Sequence, residues 1–333
     1  MPNHDQVSEA AEKFRLDCQR REKSGELSRS IGDAGEFPLY LEVQTHTACN
    51  ARCTCCPHPI VFKELPNGFM SDDLWEAIIH EASRLPLKRF MPYLNNEPFL
   101  DPKMIERLRQ IRKRCPDTLI EVSTNASKLT AEISEVLVNE YLVDDLRLSI
   151  FGVDQASYSE RMPGLDWMST LTNVKGLLAK NKNAARPLNI TIIGIEDENV
   201  SDAQWQISDS QWRQLGSSLR LWGYLDRAGN NQQKNEMIFE GSYTQRGCEL
   251  NRPFERLCIL YNGDVIMCSQ DWRREDIQAN VRESGLIGAW NSPKFRTLRE
   301  RIMGRGDEVN LCTKCKMALL DVDGSIVPRG CYK

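Results

Sequence analysis

At 333 residues, with 43 basic and 47 acidic side chains interspersed and a formal net charge of −4, the chain has the composition of an ordinary folded protein, long enough for one large domain and a small one. No apolar run reaches the length of a membrane span, and no basic stripe marks nucleic acid or an anionic membrane as an obligatory partner. A polar small molecule or a peptide is the ligand class that remains.

The 12 cysteines fall mainly at 49–56 and 248–315, behind an opening stretch, Met1 to Gly35, that is charged and polar and has no apolar signal core. Such clustering in a chain without an export signal predicts metal ligands in a reducing cytoplasm rather than disulfides.

In chain order, residues 1–37 are expected to form an N-terminal extension over the surface of the main domain, helical from about Glu9 to Glu26 and broken by glycine between Ile31 and Glu36. From Phe37 a βα alternation begins, with strands predicted at Leu39–Thr45, Arg89–Leu94, Leu119–Ser123, Leu146–Ile150, Leu188–Ile195 and Leu219–Leu225. Helical patterns lie between them. In Pro102 to Arg114, for example, Met104, Ile105, Leu108 and Ile111 share a face behind an Asp101 N-cap. Six strands joined by crossover helices imply a parallel sheet.

Just after the first strand, Cys49, Cys53 and Cys56 form a C-x3-C-x2-C run. Three thiolates so close can hold three irons of a [4Fe-4S] cube and leave the fourth open to a ligand that is not protein. Zinc needs four ligands and usually takes paired C-x2-C knuckles, which fits poorly when the next cysteine is Cys115.

The run and its setting resemble the radical S-adenosylmethionine (radical SAM) superfamily. The resemblance implies an open, partial (β/α)6 TIM-like barrel over residues 38–230, with the reactive site at the strand C-termini. It also implies that SAM chelates the open iron and is cleaved reductively to a 5'-deoxyadenosyl radical that removes hydrogen from substrate, with a low-potential donor such as flavodoxin or ferredoxin supplying the electron. Asn95-Asn96-Glu97-Pro98 stands where the family has Gly-Gly-Glu-Pro, and Glu97 would accept the SAM ammonium. Asparagine tolerates the left-handed backbone that such a turn needs. Ser123 and Asn125 at the third strand end, Ser149 at the fourth and Ile195 at the fifth fall where the family binds ribose, carboxylate and adenine. Cys55 stands where an aromatic or Met is common; its bland role is a small buried filler.

A second constellation comprises Cys248, Cys258, Tyr261-Asn262-Gly263-Asp264, Cys268, Ala289-Trp290-Asn291-Ser292-Pro293-Lys294-Phe295 and Cys312-Thr313-Lys314-Cys315. It resembles the Twitch module, the shortened SPASM extension of radical SAM enzymes. That implies a small β-hairpin/helix module over 231–318, holding one auxiliary [4Fe-4S] cluster, and a tail over 319–333. If Asn262-Gly263 is a two-residue hairpin turn, Cys258 pairs with Met267 and faces away from Cys268, so the ligands are Cys248, Cys268, Cys312 and Cys315. Four cysteines would also satisfy a zinc ribbon, which iron content distinguishes. Cys258 is then a core residue or, alternatively, a thiol hydrogen donor; Cys18, Cys55, Cys115 and Cys331 also stay without a ligand role.

Relatives with a Twitch module include cyclitol and sugar dehydrogenases, sugar and peptide epimerases, and molybdopterin-precursor cyclases. The reading adopted is dehydrogenation of a polar small molecule such as a sugar, aminocyclitol or nucleoside-like intermediate, with the auxiliary cluster taking an electron. The alternative is epimerisation of a sugar-like molecule or peptide through a cysteine thiol. A peptide substrate is less expected because residues 1–37 are too short for a peptide-recognition domain. A SAM-binding sensor without chemistry is disfavoured by Glu97 and the three cysteines. Trp222, Tyr224, Asp226 and Arg227 either line the substrate cavity or pack the domain junction.

Overall fold

The computed structural model describes residues 4–24, 28–223, 227–231 and 243–331. It divides into two compact units. One comprises Tyr40–Tyr224 with Ile259–Gly263, the other Met1–Leu39 with Leu225–Cys258 and Asp264–Lys333.

The first unit is built on six parallel strands: β1 (Tyr40–Val43), β2 (Arg89–Met91), β3 (Leu119–Thr124), β4 (Asp145–Ser149), β5 (Asn189–Ile195) and β6 (Ser218–Trp222). They hydrogen-bond in sequence order, as expected of right-handed βα units that wind one way into a partial barrel. Strand alternation gives the sheet two different faces. Leu41, Val43, Phe90, Ile120, Val122, Leu146, Leu148 and Ile192 on one face are all 0% exposed. The crossover helices contribute the matching apolar stripes: Leu74, Trp75, Ile78 and Ile79 of helix Asp72–Ala82, and Met104, Leu108 and Ile111 of helix Met104–Arg114. The opposite face carries Glu42, Arg89, Glu121, Asp145, Arg147 and Thr191, so β4 reads as polar-apolar alternation where a doubly covered parallel strand would be apolar throughout.

Helix Met104–Arg114 starts later than its sequence pattern predicts, with Lys103 at the N-cap. Asp101 is engaged elsewhere: it accepts from the Lys103 amide at 2.9 Å and from Arg107 Nε at 3.0 Å. Arg107 and Asp101 are 3% and 1% exposed in their side chains, and the guanidinium also lies 4.7 Å from the Trp75 ring centroid.

In the second unit, β7 (Thr244–Cys248), β11 (Ala318–Val322) and β12 (Ser325–Pro328) form an antiparallel sheet of order β12-β11-β7, while β10 (Ala279–Asn280), β9 (Asp264–Ile266) and β8 (Arg256–Ile259) neighbour one another in that order. Helix His4–Lys23 packs on β12, where Val7, Leu320, Val322 and Val327 form one buried cluster against Ala10 and Ala11. The N-terminal segment therefore belongs with the C-terminal sheet, where the sequence placed it over the main domain. The Trp290 to Phe295 motif is structural: Ser292 caps helix Pro293–Ile302, and Arg299 from that helix stacks on Trp290 and Phe295 while donating to the carbonyls of Pro253 and Trp290.

The hairpin turn differs by one residue from the expected one. The Gly263 amide donates to the Leu260 carbonyl at 2.9 Å, and Gly263 alone of the Asn-Gly pair has positive φ, at 95°. A type I′ turn needs both central residues there; this is a three-residue loop closed by a left-handed glycine. One residue of register reverses every side chain, so parity no longer separates Cys258 from Cys268.

Candidate active site

The three-cysteine loop leaves the C-terminal end of β1 and is fixed from several sides. Glu97 N–H donates to the Ala48 carbonyl at 3.0 Å, Arg52 N–H to Pro163 at 2.7 Å and Thr54 N–H to Arg161 at 3.0 Å. His46, fully buried, adds a staple. Its Nδ1 accepts from the Ala48 amide at 3.1 Å, so its Nε2 carries the proton and donates to the Glu97 carbonyl at 2.9 Å. Burial lowers the imidazole's pKa and keeps it neutral, as this tautomer requires.

Cys49, Cys53 and Cys56 come together in this loop. Burial pushes the Cys49 thiol up to about 12 and Cys53 well above its ordinary value, and each is raised further by the Cys56 thiol. Thiols this costly to ionise alone are ionised when iron replaces their protons, so the set fits three corners of a [4Fe-4S] cube. Among the described residues no three His, Cys, Asp or Glu side chains are grouped to hold a single metal ion. A cube is not held that way, because each of its cysteines binds a different iron. Cys55 is buried, as a filler would be.

Glu97 sits beside this loop, 2% exposed. Its Oε1 accepts from the Thr124 hydroxyl at 2.5 Å and the Phe99 amide at 3.2 Å, and its Oε2 from the Asn125 amide at 2.8 Å. Burial outweighs these donors and raises its pKa from 4.5 to about 7. Among the described residues no cation pairs with it, and the neighbouring Asn96 Nδ2 is buried without a hydrogen-bond partner. A buried carboxylate with neutral donors on one side is suited to an ammonium on the other, which is what the amino end of SAM supplies. Asn95 adopts φ 54°, so the asparagine replacing the family's glycine does hold the left-handed turn.

The remaining expected SAM contacts are at strand ends on the rim. Ser123 and Ser149 are half-buried on the polar face, and Ser149 is paired with Ile193. Ile195, 6% exposed, ends β5 opposite Trp222. Asn125 is committed otherwise than expected: its amide donates to Asn50 Oδ1 at 2.9 Å and its carbonyl accepts from Ser127, tying the cluster loop to the end of β3. At Gly194, next to Ile195, close packing excludes a side chain, since a Cβ there would meet Leu221 at 2.8 Å and Trp205 at 3.0 Å. Tyr224 and Asp226 lie outside the described residues.

In the second unit Cys248, Cys268, Cys312 and Cys315 form one neighbourhood. Burial raises the thiol pKa of Cys312, and the thiols of Cys268, Cys315 and Cys248 raise it further; Cys268 is likewise raised by Cys315 and Cys248. Four soft ligands gathered from β7, the segment after β9, the short helix Asn310–Thr313 and the turn that follows it fit a fully protein-ligated cube. Cys258 is fully buried in β8, and no disulfide joins the described cysteines.

The sequence pattern did not mark His46, nor the Arg161–Asp197 ion pair whose aspartate is 3% exposed in its side chain. A lone histidine beside a cysteine run carries no spacing signal, and an ion pair between residues 36 apart leaves no local pattern.

Two family models match. Residues 43–205 fit the radical SAM superfamily and residues 248–316 an iron-sulfur cluster-binding domain, SPASM. No curated protein matches the chain. Among solved structures, BtrN in complex with AdoMet and 2-DOIA superposes with TM-score 0.55 at 14% identity over 84% of this chain and 93% of its own. Streptococcus suis SuiB bound to precursor peptide SuiA gives 0.64 at 16% over 85% and 71%, and anSMEcpe with bound AdoMet 0.59 at 14% over 84% and 83%. At such identities the likeness is one of fold, and it agrees with the partial barrel and small antiparallel sheet found here. The cysteine loop at the first strand end, the parallel βα units and both family models lead to one assignment: this chain belongs to the radical SAM superfamily, with a SPASM-type auxiliary iron-sulfur module, and its cofactors are SAM and [4Fe-4S] clusters.

Proposed function

We propose that this radical SAM enzyme oxidises a carbinol carbon of a polar small molecule. Cys49, Cys53 and Cys56 would hold the SAM-binding cluster, Glu97 the SAM ammonium, and Cys248, Cys268, Cys312 and Cys315 the auxiliary cluster. When bound, these groups supply a 5'-deoxyadenosyl radical to remove one hydrogen atom and an acceptor for the second electron. The chain's own residues orient and shield: His46 and Asn125 fix the cysteine loop against Glu97 and β3.

The observation that carries the reading is the neighbourhood of four thiols in the second unit. Four protein ligands fill a cube's four irons, leaving none for substrate, so electron transfer is the role that remains. BtrN is seen with AdoMet and 2-DOIA and SuiB with precursor peptide SuiA, so the fold is compatible with a small-molecule or a peptide ligand. A low-potential flavodoxin or ferredoxin would be the electron donor.

The test is anaerobic turnover with a panel of carbinol-deuterated sugars and cyclitols. The reading expects deuterium in 5'-deoxyadenosine and one carbonyl product per SAM cleaved. A redox-neutral, inverted product carrying solvent deuterium would replace it with epimerisation.

A further inference from the structure

The polar face of the parallel sheet is graded in charge from the lower to the upper ends of its strands. Cross-strand register sets the layers. Glu121, Asp145 and Asn189 align in one, Ser123, Arg147, Thr191 and Ser218 in the next, and Ser149, Ile193 and Arg220 in the one above. Glu42 shares the face at the lower level, paired with Met91. The acids thus lie low, and two arginines lie in the upper layers with Ser149.

The lower acids Glu121 and Asp145 are already paired. Glu121, 3% exposed in its side chain, takes Arg89 Nη1 at 2.7 Å on Oε2, and the Tyr93 hydroxyl at 2.6 Å and Arg147 Nη1 at 2.8 Å on Oε1. Arg89 also contacts Asp145. The upper arginines are not used up. Arg147 engages Glu121 through one nitrogen and keeps a side-chain exposure of 32%. Arg220 is exposed and, among the described residues, has no ion pair or hydrogen bond from its side chain. One strand and one layer separate the two, so their backbones stand about 12 Å apart on the diagonal, within reach of two long guanidinium side chains closing on one group.

We infer that this face selects its substrate by an oxyanion, a carboxylate or a phosphate, received by Arg147 and Arg220. The inference rests on the reading that the chain acts on a polar small molecule, and it narrows that class to anionic ones. A guanidinium offers paired donors matched to two oxygens, and Arg147 is already oriented by a buried carboxylate, so less ordering is lost on binding. A neutral sugar would leave Arg220 without a counter-charge. The competing claimant is the carboxylate of SAM, since Ser149 lies in the same layer as Arg220.

Equilibrium dialysis of labelled inorganic phosphate and labelled acetate against oxidised, SAM-saturated holoenzyme decides between them. One saturable site per chain is expected for at least one anion, the tighter of the two identifying the group. Its affinity should fall at least tenfold in Arg220→Gln and in Arg147→Gln, and recover to within threefold of wild type in Arg220→Lys, while the SAM Kd stays within twofold. Arg220 is exposed, so its variants keep the test valid even if Arg147→Gln unfolds. Absence of a saturable site for both anions, unchanged anion affinity in Arg220→Gln, or a tenfold loss of SAM affinity in that variant would each overturn the inference. Failure of the wild type to form 5'-deoxyadenosine on reduction would sink the enzymatic reading separately, because the dialysis reads binding alone.

Discussion

Glu97 is surrounded by donors that stabilise its charge and by packing that opposes it, and packing prevails by raising its pKa from 4.5 to about 7. In the unfolded chain it ionises at its ordinary value, so as pH rises from 4.5 through about 7 the folded state loses stability relative to the unfolded one. An ammonium held against Oε2 removes that penalty. SAM should therefore raise the melting temperature more at pH 8 than at pH 6, and binding near pH 7 should release a fraction of a proton, read by calorimetry in buffers of different ionisation enthalpy. Glu97→Ala should cost roughly 1.5–3 kcal/mol of SAM binding, about one to two decades in Kd. Unchanged SAM affinity would remove Glu97 from the amino clamp. At the buried pair of Arg107 and Asp101, Asp101→Ala strands a guanidinium in the interior and should destabilise the first unit by roughly 3–5 kcal/mol in urea unfolding, whereas replacing both partners with apolar residues should cost much less.

Elements were legible where periodicity and punctuation agree. All six parallel strands fall on the predicted segments because each is a short apolar-rich run between helical patterns, and in β4 Leu146 and Leu148 also alternate with polar residues. Asn95 was readable as a left-handed turn residue, and the three-cysteine loop by spacing alone. Partnerships between distant residues were not legible: Asn125 with Asn50, His46 with Glu97, and helix His4–Lys23 with β12 have no local signature. The hairpin erred by one residue because Asn-Gly suits both a two-residue turn and a loop closed by left-handed glycine. The ligand set for the second cluster therefore stands on neighbourhood. Cys248→Ala and Cys268→Ala should each lose the auxiliary cluster, about half the iron, while Cys258→Ala keeps it. Equal iron loss in all three would make Cys258 a ligand. In β5, Gly194→Ala forces a methyl onto Leu221 and Trp205 and should cost roughly 1–3 kcal/mol without altering iron content.

Across the whole molecule, seven cysteines in two sets predict about eight irons per chain after anaerobic reconstitution, as two cubes. Replacing Cys49, Cys53 and Cys56 together by Ala should leave about half of that iron and abolish SAM cleavage; one zinc with one cube would overturn the auxiliary assignment. The second unit also has a history in time. Helix His4–Lys23 leaves the ribosome about 300 residues ahead of β12, its packing partner, at the synthesis rates that set cotranslational folding. At about 5–20 residues per second the intervening chain of about 300 residues takes roughly 15–60 s to synthesise. For that interval the apolar stripe of Val7, Ala10 and Ala11 has no native surface to rest on. All six parallel strands are synthesised before this helix can dock, which makes helix His4–Lys23 a natural chaperone client that stays open to protease on a ribosome stalled ahead of β12.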